Sequence, residues 1–248
     1  MIKDKIKKFF SVFKKLLFPE YSCYICGLEL ENPDEHICER CKNNLVRTDG
    51  NICLVCGEPI PEPNKYCDIC SEESRPFDLA RTCFIYNDYS AKLVMGLKYQ
   101  SNKYMIKYMA KELAVKLLDF GVLPDIIVPV PITQSRLKQR GFNQSELLAN
   151  AVNELCGNKM EIMPGLVKRI KERPPQASLN RKERLVNLID AFEVDKTLNI
   201  SGKIVMILDD VYTTGTTVSE IAKVLRKRNP EGIFVLTFAK TKHNPPLP

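Results

Sequence analysis

Asp209 and Asp210 stand side by side at the end of an apolar run, in the stretch Ile204 to Glu220, IVMILDDVYTTGTTVSE. Thr213, Thr214, Gly215, Thr216 and Thr217 follow at once, and then a helical pattern. A turn between a strand and a helix presents free backbone N–H groups and the positive end of the helix dipole, which together suit a phosphate. The threonines add hydroxyl donors, and Gly215 lets the backbone come close and take a positive φ. Two carboxylates would repel that phosphate. They make sense facing the vicinal hydroxyls of a ribose, with Mg2+ nearby. A phosphate cradle beside a diol-binding acidic pair describes a 5-phosphoribosyl group. The competing explanation is a strand that ends in a solvated Asp-Asp turn with a threonine helix cap.

A second chemistry sits near the start of the chain. Eight of the ten cysteines form four Cys-x-x-Cys pairs: Cys23 and Cys26, Cys38 and Cys41, Cys53 and Cys56, Cys67 and Cys70. Cys23 and Cys53 are 30 residues apart, Cys41 and Cys70 are 29 apart, and glycine follows both Cys26 and Cys56. This is an internal duplication. Four thiolates in a closed tetrahedron form a structural zinc site with no open position for catalysis. The loops between the pairs are short, polar and proline-bearing, so a metal must supply what a core cannot. Two zinc ions are expected, each within one repeat. Pairing between the repeats is the alternative, and redox or free thiols a further one. His36 reads as a solvent-exposed side chain, because eight thiolates already fill two sites. Cys83 and Cys156 read as buried small hydrophobes. Clustered pairs without a secretory signal point to a reducing compartment, hence the cytoplasm.

These residues need elements to hold them. The chain has 248 residues with ordinary apolar (44%) and charged (27%) fractions. No run approaches 18 consecutive apolar residues, so no transmembrane helix is expected. From residue 80 onward strands and helices alternate. TCFIY (82–86) reads as a strand, followed by helices over about 90–98 and 103–120. DIIVPVP (125–131) is a buried strand, 144–155 a helix, and MEIMPGLVKRI (160–170) strand-like. KIVMILDD (203–210) is a buried strand, 216–228 a helix and GIFVLTFAK (232–240) a last strand. Such alternation predicts a mostly parallel sheet covered by helices on both faces. Ligands then bind at the carboxyl ends of the strands, which gathers the loops after Val130, after Asp210 and after the LVKRI strand. The expected organisation is an amphipathic helix over 1–20, a double zinc ribbon over 21–75, the α/β domain over 76–241 and a tail over 242–248. In the first segment Ile2, Ile6, Phe9, Phe13, Leu16 and Leu17 recur at helical spacing among lysines. It reads either as a helix on a membrane surface or as one packed on the zinc module or a partner.

Charge is unevenly shared. Residues 1–80 hold 11 Lys/Arg against 14 Asp/Glu, and residues 81–248 hold 26 against 16. A basic C-terminal part suits phosphate esters, pyrophosphate or nucleic acid, or is merely a solvated basic surface. The stretch 168–184 carries seven Lys/Arg and two acids around Pro174 and Pro175.

VMILDDVYTTGTT resembles the phosphoribosyl-diphosphate (PRPP) motif of type I phosphoribosyltransferases. No Gly-Lys-Ser/Thr follows it, so it is not the lysine-bearing P-loop. VPVPITQSRLKQRGFNQSELLA (128–149) and RIKERPPQASLNRKERLVNLIDAF (169–192) resemble two blocks of the ComF (ComFC) competence family, as does the cysteine-rich start closed by LLFPEYSCYICG. The resemblance covers nearly the whole chain. It implies a type I phosphoribosyltransferase fold preceded by a small Cys-rich zinc-ribbon module. It implies that Asp209 and Asp210 hold the ribose hydroxyls and that Thr213, Thr214, Gly215, Thr216 and Thr217 hold the 5′-phosphate. Pro131 would begin the pyrophosphate loop, where Val-Pro-Val-Pro could supply a cis peptide. Arg136 and Arg140 are candidates for the diphosphate charge, since guanidinium grips phosphate as a bidentate fork. Arg169, Gln176, Arg181 and Asn187 match the family pattern in a segment where such transferases carry a mobile hood.

Two functions follow as expectations. One is a phosphoribosyltransferase acting on PRPP with Mg2+ and an unassigned acceptor, in DNA uptake. The other is a non-catalytic module that grips single-stranded DNA on a transferase fold. Few aromatics interleave the basic stretch, so a base-stacking platform is weakly supported. The resemblance also implies an uptake helicase or channel as partner. No residue stands out as a general base, and His243 reads as exposed in a Pro-rich tail.

Overall fold

A computed structural model describes residues 22–30, 35–100, 103–170 and 191–242. The chain divides into two compact units, one ending at Asn44 and one beginning at Leu45.

The first unit carries the first cysteine repeat and α1 (Glu39–Asn43), which starts immediately after Cys38. The second unit opens with the second repeat and α2 (Asp68–Glu72), which starts immediately after Cys67. The duplication is structural as well as sequential. Gly27 N–H donates to Cys23 and Gly57 N–H to Cys53, while Cys23 N–H donates to Leu28 and Cys53 N–H to Glu58. Both glycines have positive φ, 74° and 66°, which the tight knuckle requires. Gly57 has a further reason to lack a side chain: a Cβ there would lie 2.8 Å from the Ala80 carbonyl oxygen.

The rest of the second unit is an α/β domain. Its elements are β1 (Leu79–Ile85), α3 (Asp88–Gln100), α4 (Lys103–Leu117), β2 (Ile126–Pro129), α5 (Gln134–Arg140), α6 (Gln144–Leu155), β3 (Glu161–Ile162), β4 (Val167–Arg169), β5 (Phe192–Val194), β6 (Ile204–Tyr212), α7 (Thr216–Arg226) and β7 (Gly232–Lys240). Five strands form one parallel sheet in the order β1-β7-β6-β2-β3. Its central strands are apolar on both faces. Val205, Ile207, Ile233 and Val235 pack with Val218, Ile221 and Leu225 of α7. Met206, Leu208 and Leu236, also fully buried, alternate to the other face, where α4 and α6 meet the strands. Helices therefore cover both faces, as a parallel sheet requires.

Three details differ from the sequence reading. The 160–170 stretch yields two strands in different sheets, because Gly165 and its turn separate them: β3 joins the parallel sheet, while β4 pairs antiparallel with β5. Among the described residues the cis peptide is Glu62–Pro63, in the second cysteine repeat; neither Val128–Pro129 nor Val130–Pro131 is cis. Cys83 is buried, but Cys156, at the C-terminal cap of α6, is only half-buried. The 1–20 helix, Gln176, Arg181, Asn187 and His243 lie outside the described residues.

Candidate functional site

The two cysteine clusters are the simpler centres. Cys23, Cys26, Cys38 and Cys41 bring their sulfurs within 4.8 Å of one another, as do Cys53, Cys56, Cys67 and Cys70. Each set comes from one repeat, as expected. The Cys26–Cys38 and Cys56–Cys67 sulfurs are 3.7 and 3.6 Å apart. A tetrahedron with Zn–S bonds of about 2.3 Å has edges of about 3.8 Å. The donor sets therefore fit two closed structural zinc sites. His36 contributes to neither set; it is half-buried, with its ring 5.7 Å from Tyr24.

The acidic pair sits where a parallel sheet places chemistry, at the carboxyl end of β6 between β2 and β7. Asp209 Oδ1 accepts from the Ser145 hydroxyl at 2.8 Å and from the Asp210 N–H at 2.9 Å. Ser145 is fully buried in the first turn of α6, which Asn143 caps. The Asn143 amide also donates to the Val130 carbonyl at 3.1 Å, so one residue fixes both the β2 loop and the helix that carries Ser145. Burial raises the Asp209 carboxyl to about 7, and the neighbouring Asp210 charge adds to the rise. The hydrogen bonds from Ser145 and the Asp210 N–H, with the charge of Lys98, oppose it. Asp210 is buried, and its Oδ2 lies 2.9 Å from Lys98 Nζ on α3.

The hydroxyl-rich turn follows directly. Gly215 takes φ +76° and stands at the N-cap of α7 with no side chain to cap it, while the Thr214 hydroxyl accepts from the Thr216 N–H at 3.4 Å. A Cβ on Gly215 would collide with the Tyr212 hydroxyl. Thr214 and Thr216 share a hydroxyl–hydroxyl bond of 2.7 Å. Thr213 is exposed, Thr214 and Thr217 are half-buried, and Thr216 is buried. Such a turn can wrap an anion with backbone N–H groups and hydroxyls.

Pro131 begins the connection out of β2, and α5 follows it with Arg136 exposed and Arg140 half-buried. Arg140 donates to the Gln144 side chain at 3.0 Å. Arg169, at the end of β4, lies over the Phe192 ring at 5.8 Å. Burial lowers the Arg169 guanidinium, and the like charge of Arg136 lowers it further. Sequence reasoning missed Lys98 and Ser145. Ser145 lies inside the RGFNQSELLA block and could have been found there; Lys98 is a lysine on a helix surface with no pattern to mark it.

Two family models match the chain: the double zinc ribbon domain over residues 13–83 and the phosphoribosyl transferase domain over residues 142–247. The fold is accordingly that of the type I phosphoribosyltransferases, behind a Cys-rich zinc-ribbon module. DNA utilization protein YhgH of Escherichia coli K12 is 30% identical over 224 residues, which is 88% of this chain and 96% of that protein. Competence protein F of Haemophilus influenzae is 28% identical over 90% of this chain and 98% of its own length. Competence protein ComFC of Bacillus subtilis is 27% identical over 82% of each. With relatives of this similarity matched along nearly their whole length, the chain belongs to the ComF (ComFC) competence family.

Proposed function

We propose that the chain binds a 5-phosphoribosyl ligand, PRPP with Mg2+, at the carboxyl edge of the parallel sheet, and that it acts in DNA uptake. The observation that carries the first half is the continuity of Asp209 and Asp210 with the hydroxyl-rich, glycine-bent turn Thr213–Thr217. The names of the relatives support the second half. In this reading the two carboxylates take the ribose hydroxyls and the turn takes the 5′-phosphate. Pro131, Arg136, Arg140 and Arg169 face the diphosphate, with Gln176 and Arg181 assigned to it from the family pattern alone.

The donor chemistry fits a divalent cation. Adjacent carboxylates, one of them raised to about 7, gain from any nearby positive charge. Bound Mg2+ would neutralise the leaving diphosphate. Transfer would break the bond between C1 and the diphosphate oxygen through an oxocarbenium-like state, and form a bond from C1 to the acceptor. The chain's own contribution would be positioning and cationic stabilisation of the departing oxygens.

A second reading keeps the site without turnover: the basic surface grips the phosphates of single-stranded DNA. The short helix α5, which carries Arg136, Lys138 and Arg140, favours it as well. Titration calorimetry with PRPP and MgCl2, on the wild type and on Asp209→Asn/Asp210→Asn, separates the two. Heat with PRPP that the double variant abolishes supports the first reading. No heat with PRPP, and salt-sensitive heat with a single-stranded oligonucleotide, supports the second.

A further inference from the structure

Lys240, the last residue of β7, is a fully buried cation. Its Nζ lies 3.2 Å from Glu58 Oε2 and donates to the Cys56 carbonyl at 3.4 Å. The same ammonium stands over the Tyr212 ring, 3.7 Å from its centroid. Cys56 is a ligand of the second cysteine cluster, and Glu58 is two residues away in the same knuckle. Tyr212 is the strand neighbour of Lys240 and lies directly beneath the phosphate turn: its hydroxyl occupies the space a Cβ on Gly215 would need. That hydroxyl is buried and makes no hydrogen bond among the described residues, so the ring is held by packing and by the ammonium. A continuous chain of contacts therefore runs from a metal knuckle, through one buried charge, to the floor of the turn.

We propose that Lys240 is a positioning residue that couples the second four-cysteine site to the phosphate turn. The claim rests on the phosphoribosyl reading of that turn. A buried ammonium is stable only with its partners in place. Two of the three, the Cys56 carbonyl and the Glu58 carboxylate, are placed by the knuckle that Gly57 closes. The third is the Tyr212 face, which an ammonium attracts electrostatically when both are removed from water. When the cluster is loaded, the knuckle is fixed, the ammonium is fixed, and the ring supports Gly215 in its left-handed conformation. When the cluster is empty the knuckle is free to open, and the ammonium follows its partners or draws water in. The turn then loses its floor.

Thermodynamic coupling is reciprocal. If zinc at the second site tightens the turn, a phosphate ester on the turn must retain zinc. The test uses the full chain with both clusters loaded and ribose 5-phosphate as the probe. Calorimetry gives its affinity, and a colorimetric chelator gives the rate of zinc release with and without it. In the wild type, ribose 5-phosphate should slow release of one of the two zinc ions. Lys240→Met and Glu58→Gln should each lose that protection and weaken ribose 5-phosphate by about tenfold, in the range of ordinary coupling energies. Lys240→Arg, which keeps a cation over the ring, should restore both. If Lys240→Met does not fold, Glu58→Gln carries the test, since it changes charge with little change in shape. A wild type that binds ribose 5-phosphate while zinc release stays indifferent to it overturns the coupling and leaves the phosphoribosyl reading standing. A wild type that binds none overturns both.

Discussion

Lys98 Nζ lies 2.9 Å from Asp210 Oδ2, with the carboxylate buried at the crest of β6. The pair ties α3 to the acidic end of the sheet and sets a positive charge beside two adjacent carboxylates. Replacing it with Lys98→Met leaves a buried carboxylate uncompensated. A destabilisation of about 3 kcal/mol is expected in urea unfolding. The same change removes a charge that holds the Asp209 carboxyl down, so the pH midpoint for ribose 5-phosphate binding should move upward. A midpoint unchanged or lowered in the variant would show that Lys98 does not act on the acidic pair.

Asp209 gives a stability prediction of unusual sign. Its carboxyl is raised to about 7, chiefly by burial, from the usual 3.8. Between those two values the folded protein holds a proton that the unfolded chain releases. Unfolding free energy therefore falls as pH rises through that window, the reverse of a salt-bridged aspartate. Asp209→Asn keeps an oxygen to accept from Ser145 and the Asp210 N–H but cannot ionise. It should melt above the wild type at pH 8, by roughly 3 °C per kcal/mol recovered, with the difference shrinking toward pH 4. It should also fail to bind ribose 5-phosphate. Scanning calorimetry that places the variant below the wild type at pH 8 would reject this role for burial.

Gly215→Ala meets two obstacles: a positive φ and the Tyr212 side chain. The strain should cost about 1–3 kcal/mol in urea unfolding. Loss of phosphate-ester affinity should exceed what that destabilisation explains, while zinc content stays unchanged. An alanine variant with wild-type affinity would show that the turn's shape is immaterial to the ligand.

Arg136 and Arg169 are assigned to the diphosphate, so each should matter only when a diphosphate is present. Arg136→Ala and Arg169→Ala should weaken PRPP by about tenfold, the scale of one charge-assisted phosphate contact, and leave ribose 5-phosphate nearly unaffected. Equal losses for both ligands would place the arginines elsewhere in the site.

Metal analysis of the purified protein should return two zinc ions per chain. Fewer than two would contradict the closed four-thiolate geometry, whose 3.6 and 3.7 Å sulfur separations suit a tetrahedral ion.

Much of this was legible in the sequence because the signals are local. The Cys-x-x-Cys spacing and the glycine after each first pair specify a knuckle irrespective of the rest of the chain. The apolar run 204–208 that meets two aspartates specifies a central strand with a polar crest, and β6 runs through it and two residues further, to Tyr212. Helix 144–155 has the bounds its periodicity gave. What stayed hidden depends on pairing across long separations. Lys98 meets Asp210 across 112 positions of sequence and Lys240 meets Cys56 across 184, and neither lysine belongs to a pattern. The 160–170 stretch looked like one strand because its apolar residues, from Met160 to Ile170, are spread along its whole length. The break at Gly165 sends its halves to different sheets. Short α5 was not expected at all, since Gln134–Arg140 carries no apolar stripe and is held by the Thr133 cap and the αL turn at Gly141.

Crystals soaked with ribose 5-phosphate and MgCl2 put the central idea to its most direct trial. The ester should appear with its phosphate on the backbone of Thr213–Thr217 and its vicinal hydroxyls against Asp209 and Asp210. A turn left empty at saturating ligand, or a sugar bound away from both aspartates, would contradict it.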